Sequence, residues 1–414
     1  MSAPRKLLLA YSTNVHRGEG LGDIYRFMTE FTVPIARRVF GGGESGLELC
    51  LGSRSSRELS RRKNLEAFRT FLGENRLALF SVNAFPLLDF HAARVKERVY
   101  RPSWDEPERS RATNRIAGIL AALLPEGVQG SISTLGGIFR PRGHDPPTFR
   151  RLAAGYLKTL ESLARLEAET GKTIVLAVEP EPDTTMETAR DVIDFFEAYL
   201  FPVAREVWRR RGISRSQCES ILRKFFTVNF DTCHFSVLFR DLVGSLHELE
   251  RAGLGVGKIH ATSAISLCNP YDAPAAYARF RGMQEPRYFH QFCGRDESGV
   301  IVWRGLDLDA LPRRLVRGRH PYVSELRSHY HVPLCLGSWN RLDTTRDETR
   351  ALVVETVRRR LCSQFVVETY TWPILRGEAR LVEGISREIS WLRGALGEAG
   401  MRGRSSRKAG DDKG

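Results

Sequence analysis

Residues 225–239 read FFTVNFDTCHFSVLF. A run of apolar, β-branched and aromatic residues stops at Asp231, His234 follows three residues later, and the chain turns apolar again. Apolarity along the whole run marks a strand buried on both faces, as in a parallel sheet covered by helices. A carboxylate at its end, with an imidazole just beyond, puts polar groups at the carboxyl edge of such a sheet. That is the edge where α/β folds build their sites.

The pattern recurs. Strand-like runs are KLLLAYS (6–12), LELCLGS (47–53), LALFSVNAF (77–85), GSISTL (130–135), TIVLAVEPE (173–181), FFTVNFDT (225–232), VGKIHATS (256–263), SHYHVPLCL (328–336) and QFVVETYTW (364–372). Helical patterns over 148–170, 186–206, 347–361 and 380–400 lie between or after them. The alternation predicts a (β/α)8 TIM barrel, one domain over 1–400, rather than two doubly wound halves. No G-x-G-x-x-G follows the first run, which weakens a dinucleotide-binding alternative. Nine runs exceed the eight a barrel needs, so either SHYHVPLCL or one early run lies outside it. The interval 264–327, with RYFHQFCGRDESGVIVWRGLDLDAL, reads as an insertion after strand seven, a hairpin and short helix over the barrel mouth. The polar, charged stretch 401–414 reads as a disordered tail.

With 414 residues, 42% of them hydrophobic, the chain can build a sizeable core. Seven cysteines without a C-x-x-C pair point to reduced thiols in the cytoplasm and against a cysteine-ligated zinc. No apolar run reaches membrane-span length. The net charge of +14 sits largely in helix-surface clusters such as WRRRG and VRRRL, with no aromatic-interleaved basic stripe. Nucleic acid is therefore disfavoured, while an anionic substrate fits the field. The oligomeric state stays open.

Reading what each run ends on gives the candidate site. Strand one offers Asn14 and His16, strand three Asn83, and strand five Glu179 and Glu181. Strand six offers Asp231 and His234, strand seven Lys258 and His260, and the last strand Glu368. His329 and His331 alternate and share a strand face. Several carboxylates in one mouth repel one another and take up protons unless a cation joins them. Glu179, Asp231, His260 and Glu368 form a mixed oxygen and nitrogen set that suits a divalent ion: Mn, Mg, Co or Zn. Plainer readings exist for Asp231 as a helix cap, His260 as a core histidine and Glu179 as a loop charge, Glu368 being harder to dismiss, and Cys233 beside them reads as a packed thiol.

EPEP, DTCH, KIHATS and VETYTW, in this order, resemble the xylose-isomerase-like TIM barrels of sugar isomerases, ketose 3-epimerases and endonuclease IV. YSTNVHRGE, FSVNAFPLLDFHAARVKERVYRPSWDEPER, AALLPEGVQGSISTL, LAVEPEPDTTMET and NFDTCH, with YHVPL and VETYTWPIL, resemble the EboE family of metabolite-traffic proteins. The resemblance implies a metal held by Glu179, Asp231, His260 and Glu368, with His234 on substrate or a second metal. Two departures stand out. The segment after His260 is long, and the extra zinc-ligating histidines of endonuclease IV have no match in LELCLGS or FSVNAF.

These readings predict a metal-dependent isomerase or epimerase of a small polyol: a sugar, sugar phosphate or cyclitol. Glu179 and Glu368 would exchange the α-proton through an enediolate. His234, Lys258, Glu181, Asn14, His16, Asn83, His329 and His331 would contact substrate, with Arg94 or Lys96 completing the pocket. The rival readings are a non-catalytic metabolite binder and a metal-dependent phosphoester hydrolase.

Overall fold

The computed structural model describes residues 6–376 and 380–408, with side chains over 6–375 and 380–399. The chain first lays down β1 (Leu8–Tyr11), β2 (Ser45–Cys50), β3 (Leu77–Asn83), β4 (Gly130–Leu135), β5 (Ile174–Glu179), β6 (Phe226–Asp231) and β7 (Val256–Ala261). It then leaves for β8 (Ser263–Cys268), β9 (Phe292–Arg295), β10 (Ile301–Gly305), β11 (Glu325–Val332), β12 (Ser338–Trp339) and β13 (Leu342–Thr344). It returns as β14 (Gln364–Val367).

Eight strands pair in parallel in the order β1-β14-β7-β6-β5-β4-β3-β2. A parallel bridge from Ser12 to Glu48 brings the two edges together, so the barrel is nearly closed. Its strands are buried along almost their whole length because helices cover them outside and side chains fill them inside.

The ninth run, SHYHVPLCL, falls outside the barrel. Its first part is the end of β11, which lies in an antiparallel sheet of order β10-β9-β11-β8-β13-β12. A single residue, Thr262, separates β8 from β7, so this sheet grows from the carboxyl end of a barrel strand. It extends to Thr344, past the hairpin expected over 264–327, because β13 pairs back onto β8. The closing helix, Leu381–Lys408, runs into the segment read as a tail, and residues 409–414 lie outside the described residues. Among the described residues no helix is long and apolar enough to cross a membrane.

The helix Pro146–Thr170 shows how sequence sets an element. Asp145 caps it by accepting from the Thr148 amide at 2.8 Å, prolines fill its first turn, and Gly171 ends it at φ 69°. Gly155 is mid-helix, where alanine is normally better by about 1 kcal/mol. Here a Cβ would stand 1.9 Å from the Trp104 carbonyl oxygen. Gly155→Ala is therefore expected to lose about 1–3 kcal/mol in urea unfolding. Gly118→Ala, in an exposed helix position with nothing within 4 Å, is expected to gain about 0.5–1 kcal/mol. Equal effects from the two would contradict this packing.

Candidate functional site

The carboxyl ends of the barrel strands converge with the second sheet on one buried set of polar groups. β5 ends on Glu179, with Glu181 two residues on. β6 ends on Asp231, whose Oδ1 accepts from the His234 amide at 3.0 Å and caps the helix Thr232–Val237. Across the ladder Asp231 faces His260 of β7. Glu368 follows β14, and the turn Thr13–Val15 after β1 brings Asn14, whose amide donates to Glu368 Oε1. β11 supplies His329 and His331. Buried Glu388 anchors both flanking segments: Oε1 accepts from the Leu334 amide and the Thr369 hydroxyl, each at 2.9 Å, and Oε2 from Trp372 Nε1 at 2.5 Å.

The inner part of the set is an ion network. Lys258 Nζ bonds Glu48 Oε2 and also reaches Ser81 Oγ at 3.0 Å. Ser81 Oγ donates to Glu48 Oε2 at 2.6 Å. His260 Nε2 lies 2.9 Å from Glu48 Oε1, and its Nδ1 lies 3.2 Å from Glu179 Oε1 and 3.0 Å from Asn229 Nδ2. Both ring nitrogens are thus engaged. Burial raises the Glu48 carboxyl, but the charges of Lys258 and His260 outweigh it and hold it well below the usual range. Burial lowers His260, but Glu48 and then Glu179 outweigh it and raise the ring to about 10, against Lys258. The two carboxylates on either side favour the charged ring.

The outer part is a ring of histidines. His234 Nδ1 faces the Pro180 carbonyl at 2.9 Å, His329 Nδ1 the Gln291 Oε1 at 2.8 Å, and His331 Nδ1 the Glu368 carbonyl at 2.8 Å. Their Nε2 atoms meet: His234 to His329 at 3.1 Å, His329 to His331 at 3.0 Å. Burial and the two neighbouring rings hold His329 far below its ordinary value. His331 is held far above it: burial opposes, but Cys233, Glu368 and Asp231 prevail. Glu368 is pushed down to about 2, since His331, His260 and Asn14 outweigh its burial. Glu181 is raised well above the carboxylate range by burial and then by the charge of Glu179. The field of this cluster asks for positive charge.

Asp231 Oδ2 and Glu181 Oε2 are buried without a hydrogen-bond partner, whereas Glu368 Oε2 is held by His331 Nδ1 at 2.6 Å. Ligand atoms of Glu179–Asp231–His260, Asp231–His234–His331 and Glu181–His234–His329 each fall within 4.8 Å of one another. Orphaned carboxylate oxygens beside converging imidazoles fit a divalent cation.

Glu179, Glu181, Glu368, His234, His329, His331, Asn14 and Asn83 line one cavity of about 550 Å³, its open mouth included. That is within the ~300–1,000 Å³ usual for small-molecule sites. Phe85, Phe90, Tyr100, Tyr288, Phe289 and Tyr370 wall it. Lys96 is the only Lys or Arg among its described lining, and it pairs with Asp307. Asp231 and His260 are fully buried behind the lining. Lys258 and His16 are not brought to the cavity. Lys258 is consumed by Glu48, and His16 stacks between Phe27 and Phe31 at 4.9 Å each, with its Nε2 2.9 Å from Tyr11 Oη. Sequence reasoning missed Glu48, although one acid among the leucines of LELCL, in a strand buried on both faces, was its signal. Gln291 and Tyr100 carried none.

No family model matches the chain, and no curated protein does. Among solved structures, an L-ribulose 3-epimerase is similar at a TM-score of 0.50 and 9% identity, covering 99% of this chain and 99% of its own. A xylose isomerase domain protein from Planctomyces limnophilus is similar at 0.50 and 12%, covering 96% and 99%. At such identities the likeness is one of fold, and the fold is that of the xylose isomerase-like TIM barrels.

Proposed function

We propose that this protein is a metal-dependent isomerase or epimerase of a small, uncharged polyol, a sugar or cyclitol bearing a carbonyl. The observation that carries the reading is the pairing of two buried carboxylates, Glu179 and Glu368, with the cation-seeking cluster at the floor of one aromatic-walled cavity. His331 and His260 favour the carboxylate form of Glu368, which can accept the proton on the carbon next to the carbonyl. Glu179, from a different strand, returns a proton to the neighbouring or opposite position. Glu181, kept neutral by burial, donates a hydrogen bond to a substrate oxygen. The aromatic walls exclude water and cover the apolar face of the ring. Asp231, common to two of these sets of ligand atoms, would anchor the divalent ion, which when bound supplies Lewis-acid polarisation of the substrate carbonyl.

The lining supports an unphosphorylated substrate over a sugar phosphate. Its single ammonium, Lys96, is already neutralised by Asp307, and three of its residues, Glu179, Glu181 and Glu368, are carboxylic acids. The likeness to EboE proteins adds a role in the traffic of such a metabolite within the cytoplasm.

The test is conversion. Full-length protein loaded with Mn²⁺, Co²⁺ or Zn²⁺ is incubated with ketopentoses, ketohexoses and keto-cyclitols, and products are separated by chromatography. An isomer or epimer of one class is expected. Tight binding by calorimetry with no product over hours would instead favour the carrier reading.

A further inference from the structure

We propose that the ion is held by the Nε2 atoms of His234, His329 and His331, with Asp231 Oδ2 as carboxylate ligand, and not by His260. This rests on the reading above for the ion's purpose, but its grounds are geometric.

Each of the three rings has its tautomer fixed from behind. Pro180 O and Glu368 O are carbonyls and can only accept, so His234 Nδ1 and His331 Nδ1 carry hydrogens. Gln291 Nε2 donates to Pro182 O at 3.2 Å, and this turns Gln291 Oε1 toward His329 Nδ1, which therefore also carries its hydrogen. As neutral rings in this state they would set bare Nε2 lone pairs against each other in two contacts, His234 to His329 at 3.1 Å and His329 to His331 at 3.0 Å, and a proton on His331, which Glu368 and Asp231 favour, relieves only the second. Protons do not resolve the conflict. His329 Nε2 has one in-plane lone pair and can accept one good hydrogen bond, whereas two neighbours face it. Protonating both neighbours would put two imidazolium rings against a third ring in a buried space.

One ion resolves all of it. A tetrahedral site with metal–nitrogen bonds of about 2.0–2.1 Å has nitrogen–nitrogen edges of about 3.3–3.4 Å. The observed separations are within a few tenths of an ångström of that edge. Asp231 brings a carboxylate oxygen within 4.8 Å of ligand nitrogens of His234 and His331, and its Oδ2 is buried without a hydrogen bond. The carbonyls and amide behind the rings are the outer partners that metal-bound histidines characteristically have. His260 offers nothing comparable, because Glu48 occupies one of its nitrogens and Glu179 with Asn229 the other. In effect both nitrogens of His260 are already taken lower in the barrel, and the free imidazole nitrogens lie outward, beside β11. Three imidazoles and one carboxylate select a borderline transition ion, Zn²⁺ or Co²⁺, over Mg²⁺ or Ca²⁺.

The test uses full-length protein stripped with chelator and reloaded with Zn²⁺ or Co²⁺ alone. X-ray absorption of the zinc form is expected to show three imidazole nitrogens in the first shell. A shell with one imidazole and mostly oxygen would overturn the proposal. Metal titrations complete it. His329→Ala is expected to lose the ion at micromolar metal, and Gln291→Leu, which frees the His329 tautomer, to weaken binding by about 10–100-fold. Glu179→Gln is expected to keep one ion per chain. If Glu179→Gln loses the ion and folded His329→Ala keeps it, the ion sits on the inner set: this inference fails while the proposed isomerase reading stands. If the ion is held on the three histidines but no polyol is converted, that reading fails and this inference stands.

Discussion

Lys258→Met is expected to destabilise the protein by about 3–5 kcal/mol, measured by urea unfolding. The variant keeps the bulk of the side chain but strips Glu48 of its ammonium partner inside the barrel. Glu48 and Lys258 are both wholly buried, so no water replaces what is lost. Ser81 and His260 remain as hydrogen-bond partners of Glu48, which places the loss toward the lower part of that range. The double variant Glu48→Gln/Lys258→Met leaves neither charge unpaired and is expected to recover part of the stability. A Lys258→Met protein as stable as wild type, with a raised KM for polyol, would return Lys258 to the substrate-contact role suggested by its place in KIHATS.

Glu368→Gln and Glu179→Gln are each expected to lower kcat by about 10²–10⁴-fold with little change in KM. The amide matches the carboxylate in shape, so the cavity walls stay. The capacity to take or return a proton goes. Glu368 carries the sharper expectation of the two. Its surroundings hold it ionised, and an amide there also loses the charge that opposes His331 and His260. Far-UV circular dichroism of both variants checks that the fold is kept. Activity retained within a factor of a few in either one removes it from the proton path.

The barrel was legible because its strands are apolar throughout and stop at polar residues, as FFTVNFD does. Each of the eight parallel strands falls within or beside one of the apolar runs. The ninth run was ambiguous for a physical reason: β11 is buried along its full length, like a barrel strand, yet it pairs within an antiparallel sheet. Burial leaves the same apolar trace whichever sheet supplies it. Most polar groups lining the cavity were legible from position, since every barrel strand points its carboxyl end at one rim, although His16 and Lys258 share that position and do not reach it. Their division of labour was not. Whether His260 faces a metal or a carboxylate depends on Glu48, 212 positions away in the chain. Whether His329 offers its Nε2 depends on the amide of Gln291, which no local pattern announces.

The most direct test of the account is hydrogen exchange at the reacting carbon. The metal-loaded protein is incubated in D₂O with the polyol it converts, and proton NMR follows the position next to the carbonyl. Proton transfer by Glu179 and Glu368 predicts deuterium entering that position in product, and in recovered substrate, with the rate falling in either glutamine variant. Turnover that carries the original hydrogen intact into product would contradict it.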